Sequence, residues 1–291
     1  MKIDGAKIAS YLQKVLKKEV SKIKKNKPHL VVFLAKADSD QVSFVKIKSK
    51  LAQKIGVGFE LIKYEKPPQF IKFATAIRER SHAEKTTGVI IQQPLPSNLA
   101  TDSIYNYIPD LKEIEGVKKK SPFCSPIGLA VLTVMKFIYG KGKYTPDLFV
   151  DINRDRVFFK KLFKNKRVVL VGRGITGGRP IGKMLTDAKI NYISLNSKTP
   201  SPESYFQNAD LIITAVGHKV IEPSMLKPGV VLINVGMRTD GGKLKGDYEE
   251  SEIKNIASSY TPTPGGVGPI DVVYLYKNLI DATNLQHKKV K

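Results

Sequence analysis

The 291 residues suffice for one large domain or two ordinary ones, and 42% hydrophobic with 26% charged content excludes a disordered chain. The formal charge of +23 invites a nucleic-acid reading, yet the basic residues run from Lys14, Lys17 and Lys18 to Lys288, Lys289 and Lys291 without any nucleic-acid-binding signature. A solvated basic surface is therefore expected, one that helps gather polyanionic ligands and reads no specific nucleic acid.

The opening Met1-Lys2-Ile3-Asp4-Gly5 lacks the apolar core of a signal peptide. Residues 5–26 place Ile8, Leu12, Val15 and Leu16 on one side of a lysine-bearing helix. The apolar run from His29 to Ala35 predicts a buried parallel strand. A helix over 41–55 that Gly56 stops, a strand over 58–63, a helix over 69–82 and a strand from Gly88 to Ile91 complete a βαβαβ series. That order predicts a parallel sheet with helices on its faces. Cys124 is the single cysteine, which excludes an intrachain disulfide and suits a reducing cytoplasm. No motif pairs it with His29, His82, His218 or His287, so a buried thiol is expected. The same scarcity of Cys and His argues against a dedicated metal site. A helix is expected near 126–139. Its apolar stretch, Ile127 to Ile138, is broken by Lys136 and is too short to cross a bilayer, so no membrane anchor is expected. Gly140 to Arg156 has little periodicity and reads as a loop or insertion. A second alternating series opens with Arg167 to Val171 and continues through strands near 191–195, 210–214 and 230–234. A last helix follows Pro269, runs to about residue 286 and ends in a basic tail.

Val168 to Val171 leads straight into Gly172-x-Gly174-x-x-Gly177, and a helix follows through Ile181, Met184 and Leu185. A strand, this glycine spacing and a helix together form a dinucleotide-binding turn. The first glycine permits the tight turn, the second lets backbone approach a pyrophosphate, and the third allows close helix–strand packing. NAD enzymes commonly place Asp or Glu about 20 residues further on, to bind the ribose 2′-hydroxyl. Here that position reads Asn196-Ser197-Lys198-Thr199, without a carboxylate to repel a 2′-phosphate. Arg173 has a planar fork suited to such a phosphate, and Ser197 and Lys198 add donors, so NADP is expected rather than NAD.

Further segments stand in a telling order. They are Gln92-x-Pro94-Leu95-Pro96, Cys124-Ser125-Pro126-x-Gly128, the Gly172 to Pro180 loop, Asn196 to Thr199, Asn234-Val235-Gly236-Met237, and Thr261-Pro262-Thr263-Pro264-Gly265-Gly266-Val267-Gly268-Pro269. This series resembles that of the bifunctional methylenetetrahydrofolate dehydrogenase/cyclohydrolase family, from about Gly5 to Ala282. The resemblance implies a two-domain α/β fold. A folate-binding catalytic domain takes residues 1–120 plus 270–291, a Rossmann-type NADP domain takes 121–269, and the C-terminal helix returns to the first. It implies NADP-dependent oxidation of 5,10-methylenetetrahydrofolate, then hydrolysis of the methenyl product to 10-formyltetrahydrofolate, by a cytoplasmic homodimer. The family's Tyr-x-x-x-Lys appears as Phe44-Val45-Lys46-Ile47-Lys48, in register with Gly56. Lys48, Gln92 and Glu115 thereby match catalytic positions, Glu115 replacing an aspartate that contacts the pterin. Phe44, Pro264, Gly265, Gly266, Val267, Gly268, Pro269 and Asp271 match substrate-binding positions, with Asp271 in place of a threonine. Met237 joins Gly172, Arg173, Gly174, Gly177, Ser197 and Lys198 on the cofactor side. Phe44 lacks the tyrosine hydroxyl, so dehydrogenase activity with a weak or absent cyclohydrolase is expected. Two other functions fit the departures at Phe44, Glu115 and Asp271: an NADP dehydrogenase of another small molecule, and a non-catalytic nucleotide-binding protein.

Overall fold

A computed structural model describes residues 1–140 and 142–289. Lys141, within the 140–156 stretch, and Val290 and Lys291, at the end of the basic tail, lie outside the described residues. The chain forms two compact units, one of Gln13–Pro126 with Val272–Lys291 and one of Met1–Leu12 with Ile127–Asp271.

The first unit is built on three parallel strands. After helix α1 (Gly5–Lys22), strand β1 (His29–Ala35) is the central one and is buried at all but its first residue. Helix α2 (Ser39–Ile55) starts at a capping box, in which the Asp38 side chain accepts the Gln41 N–H and the Gln41 side chain accepts the Asp38 N–H. It ends at Gly56, whose φ of +81° is the left-handed conformation a helix C-terminus favours. Strand β2 (Gly58–Tyr64), helix α3 (Phe70–His82) and strand β3 (Gly88–Ile91) follow, giving the sheet order β2-β1-β3, all parallel as the sequence predicts. Val31, Phe33, Phe73, Ile77, Val89 and Ile91 pack between the sheet and α3 as one core.

The second unit, which already holds Met1–Leu12, resumes in helix α4 (Pro126–Tyr139), where the apolar periodicity places it. The sequence reading of Gly140 to Arg156 as a loop is then corrected in part, because helix α5 (Ile152–Phe163) begins inside that stretch. Asp151 caps it by accepting the Asn153 and Arg154 N–H groups, and Asp155 turns inward to Lys136 of α4 at 3.0 Å. Strand β4 (Val168–Val171), helix α6 (Gly178–Asp187), strand β5 (Ile193–Leu195), the short helix α7 (Glu203–Phe206) and strands β6 (Leu211–Thr214) and β7 (Val231–Asn234) continue the alternation. A hairpin of β8 (Arg238–Asp240) and β9 (Lys243–Lys245) follows, then the short helix α8 (Glu250–Ile253) and strand β10 (Ser259–Tyr260). The sheet order β10-β7-β6-β4-β5 is parallel throughout, the doubly wound order with its reversal between β6 and β4. Outside β10, Lys2 makes a parallel bridge to Tyr260, and the Met1 amino group donates to Ser258 O.

The last helix, α9 (Val267–Lys289), starts two residues before Pro269, earlier than its sequence pattern suggests. A proline in the first turn costs no helical hydrogen bond. From Val272 onward α9 belongs to the first unit, as expected of a helix that returns to it. Asn278 Nδ2 donates to Ile114 O and Cys124 O, and Gln286 Nε2 to Thr87 O and Leu111 O. Cys124 is half-buried rather than fully buried. Among the described residues no helix is long and apolar enough to cross a membrane, and no group of three His, Cys, Asp or Glu side chains is placed to hold a metal ion.

Candidate functional site

In the first unit, α2 and the end of β3 bring two of the singled-out side chains together. Gln92 continues β3, its N–H donating to Phe33 O. Its side-chain Nε2 donates to Gln93 O at 2.9 Å, which turns Oε1 the other way, to accept Lys48 Nζ at 2.6 Å. Lys48 is half-buried while Lys46 and Lys50 on the same helix are exposed, so the helix itself separates it from its neighbours. The buried Tyr276 hydroxyl donates to Lys48 O at 2.7 Å and fixes the backbone beneath it. Gln41 Nε2 donates to Pro94 O at 2.8 Å and ties the turn after Gln92 to the first turn of α2. Phe44, half-buried, precedes Lys48 by four residues, so the two share a helix face.

Glu115 stands in the segment after the bridge between Val89 and Glu113. The segment is shaped by Glu113, which is 1% exposed and whose side chain accepts the Glu115 N–H at 2.8 Å and the Lys118 N–H at 3.2 Å. Burial pushes the Tyr105 phenol above its ordinary range, and the charge of Glu115 adds to the shift. Sequence reasoning assigned no role to Glu113, although it stands in the Lys112–Gly116 segment that carries Glu115, and it missed Gln41, which belongs to no recognisable motif.

In the second unit, the glycine turn joins β4 to α6. Gly172 has φ +107°, and a Cβ there would stand 2.5 Å from Ala215 O. Gly174 faces open space with nothing within 4 Å, which leaves its backbone approachable. The close helix packing expected at Gly177 falls chiefly on the next residue. A Cβ on Gly178 would lie 2.0 Å from Gly172 O, whereas one on Gly177 would meet the Ala215 methyl at 3.3 Å. Arg173 lies across β5, with Nε donating to Ser194 Oγ at 3.1 Å and a terminal nitrogen to Ser194 O at 2.8 Å. Ser197 and Lys198 are exposed on a turn after β5 that Asn196 Oδ1 organises by accepting the Lys198 N–H. Met237, 41% exposed, follows β7. These residues fit a dinucleotide: an open backbone cradle at Gly174, a helix N-terminus beyond it and a guanidinium over the adjoining strand.

Pro264 to Pro269 and Asp271 also lie in the second unit, at the start of α9. Pro264 and Gly268 are exposed, Gly265 and Pro269 half-buried, and Gly266 and Val267 buried. Gly5 fits against this loop, since a Cβ there would overlap Gly266 O at 1.8 Å, and Ala6 N–H donates to Gly265 O.

A doubly wound sheet with a glycine turn at its reversal in one unit, and a lysine held by a buried amide in the other, define a nucleotide-dependent α/β enzyme. The chain belongs to the tetrahydrofolate dehydrogenase/cyclohydrolase family, whose catalytic domain matches residues 3–115 and whose NAD(P)-binding domain matches 158–287. It is 30% identical over 286 residues to the bifunctional protein FolD of Exiguobacterium sibiricum, spanning 96% of this chain and 98% of that one. With FolD of Staphylococcus epidermidis it shares 29% identity over 304 residues, 99% of this chain and 98% of the relative. Its fold is that of the crystal structure of FolD from Campylobacter jejuni, with a TM-score of 0.86 at 24% identity over 98% of this chain and 99% of that one. The Trypanosoma brucei methylenetetrahydrofolate dehydrogenase-cyclohydrolase, complexed with NADP and an inhibitor, gives 0.82 at 23% identity, with 98% of each chain covered.

Proposed function

We propose that this chain oxidises 5,10-methylenetetrahydrofolate to 5,10-methenyltetrahydrofolate with NADP, and hydrolyses that product to 10-formyltetrahydrofolate weakly or not at all. The observation that carries the reading is the Lys48–Gln92 pair at 2.6 Å. NADP, when bound, accepts the hydride from the substrate's one-carbon unit. The other tasks fall to the chain. Gln92 has its amide nitrogen engaged by Gln93 O, so its oxygen holds the Lys48 amine in place rather than letting it swing into solvent. Phe44 offers a flat ring to the pterin but no hydroxyl to hold or pass a proton. Water attack on the methenyl carbon needs a proton taken from the water, and only Lys48 and Gln92 remain for it. Glu115 anchors the pterin, and Phe44, Pro264 to Pro269 and Asp271 complete the folate contacts.

NADP is preferred to NAD because Arg173, held along β5 by Ser194, and the donors of Ser197 and Lys198 suit a 2′-phosphate. Gly172, Gly174 and Gly177 bear on the pyrophosphate, and Met237 on the other half of the cofactor. The roles divide as 1–120 with 270–291 for folate and 121–269 for NADP, and each parallel sheet falls inside one of these spans. A cytoplasmic homodimer belongs to the same proposal, supported by the family resemblance and tested by sedimentation. The reaction is tested by mixing the chain with methylenetetrahydrofolate and either cofactor, and following methenyl absorbance as it rises and decays. Methenyltetrahydrofolate is expected to form with NADP and then to decay only slightly faster than the same compound does without enzyme. No methenyl formation with either cofactor overturns the proposal.

A further inference from the structure

In a doubly wound sheet the dinucleotide crosses the strand ends at the reversal. Here the adenosine half falls at β5, so the nicotinamide half falls to the β6 and β7 side. Two turns form that side, Thr214–Gly217 after β6 and Asn234–Met237 after β7. They touch where a Cβ on Gly217 would stand 3.1 Å from Met237 O.

Beneath both turns lies a buried polar pair. Asp247 is fully buried and accepts the Val216 N–H at 3.1 Å and the Gly217 N–H at 2.9 Å, one on each carboxyl oxygen. A Cβ on Gly236 would stand 2.2 Å from either oxygen, so the second turn passes directly over the same group. Asn234, 3% exposed, uses its whole amide. Its Oδ1 accepts Thr214 Oγ1 at 3.0 Å and the Asp247 N–H at 2.8 Å. Its Nδ2 donates to Gly236 O at 2.7 Å and to Thr263 Oγ1 at 2.6 Å. Burial pushes the Asp247 carboxyl up, and the Val216 and Gly217 N–H groups act against that shift. The Asn234 amide supplies two donors that a carboxylate in its place would lack. A buried network satisfied at every member fixes one geometry, and each bond here ends at the ligand edge of the sheet.

We propose that Asn234 and Asp247 are positioning residues for hydride transfer, which set the bed of the nicotinamide through the Val216–Gly217 and Gly236–Met237 backbones and tie it through Thr263 to the start of the Pro264–Pro269 loop. The proposal rests on the NADP dehydrogenase reading above. Asp247→Asn keeps the shape but turns one acceptor into a donor that faces a backbone N–H. Since a misplacement of about 1 Å costs on the order of 10²-fold in rate, kcat should fall roughly 10- to 100-fold. The KM and calorimetric Kd for NADP should move less than about threefold, because the adenosine half keeps its contacts. Hydrogen exchange at the Val216 and Gly217 amides should be slowed by NADP in the unaltered chain, and that protection should be lost in Asp247→Asn. Thr263→Val should lower kcat in the same sense, and Thr263→Ser should restore it. The inference is overturned if Asp247→Asn keeps full kcat, if lost activity merely tracks lost folded protein, or if Thr263→Ser is as poor as Thr263→Val. An unaltered chain that forms no methenyl product overturns the reaction instead. The exchange measurement then still decides the pair's role, since NADP leaving Val216 and Gly217 unprotected removes it.

Discussion

Phe44 and Lys48 share one turn of α2, a ring beside an amine, and the oxygen that would join them in a proton path is missing from the ring. Hydride passage to a nicotinamide needs alignment, whereas water attack needs a positioned acceptor, which is typically worth about 10²–10⁴-fold. Phe44→Tyr is therefore expected to raise methenyl hydrolysis while changing oxidation little, and Lys48→Met to abolish whatever hydrolysis remains. Ser43 does not take over the task, for it lies about 100° around the helix from Phe44 and is exposed. An unaltered chain that hydrolyses methenyltetrahydrofolate as fast as it makes it, with no gain in Phe44→Tyr, would place the chemistry on another residue. Arg173 carries a second prediction. Its guanidinium is already braced by Ser194, so little ordering remains to be done when a 2′-phosphate arrives. Arg173→Ala should weaken NADP binding and leave NAD binding nearly unchanged by calorimetry. Equal weakening of both cofactors would show that the residue supports the turn rather than the phosphate.

Among the elements, α6 separates the two uses of glycine. Gly174 faces open space and Gly178 is pressed on Gly172 O. Gly174→Ala should keep the thermal midpoint and weaken NADP binding, whereas Gly178→Ala should lower both, as scanning calorimetry and nucleotide titration would reveal. Helix α5 supplies a pH test. Burial alone would raise the Asp155 carboxyl, but hydrogen bonds from Arg154, Lys136 and the Asp151 N–H outweigh it and hold it below the ordinary 3.8. Because its folded value is the lower one, its contribution is present above that ordinary value and is lost as pH falls through the folded value. Asp155→Asn, which removes the buried one of the two carboxylates paired with Lys136 and leaves Asp147 at 3.1 Å, should cost up to about 3 kcal/mol near neutrality and flatten the acid limb of the stability curve. An unchanged acid limb would remove Asp155 as its cause. The same helix marks where sequence stops being informative. Buried runs such as His29–Ala35 and Val168–Val171 announce strands, because both faces of a parallel sheet are covered. The first turn of α5 is Ile152-Asn153-Arg154-Asp155, and its stability comes from a cap and a partner 19 residues away on α4, which periodicity does not register. Strands β8 and β9 are three residues each, two of them exposed, with only Gly241-Gly242 to signal the hairpin. In the sites, Lys48 and Gln92 were legible through a family pattern. Asp247, whose contacts reach back 30 and 31 residues, had no motif to mark it.

For the molecule as a whole, +23 spread along the chain predicts a surface that attracts phosphates without recognising a sequence. Any DNA or RNA association should be indifferent to sequence and fade as salt rises from about 50 to 200 mM. Tight binding of one sequence at physiological salt, in a filter-binding titration, would show that the charge has a nucleic-acid role. The pairing of Met1–Ile3 with Ser258–Tyr260 has a consequence in time. The Met1 amino group and its partner carbonyl are 257 residues apart. At about 5–20 residues per second of synthesis, the first residues wait roughly 13–50 s for the strand they extend. The other unit waits as well, because Leu279 and Gln286 of α9 pack against Gly88 and Thr87 at the β3 strand made long before. The three strands of the first sheet are made early but wait for α9 to cover them, and the second sheet waits for β10, so the nascent chain carries uncovered apolar surface until α9 emerges. That interval, rather than the finished fold, is when aggregation and chaperones compete for it.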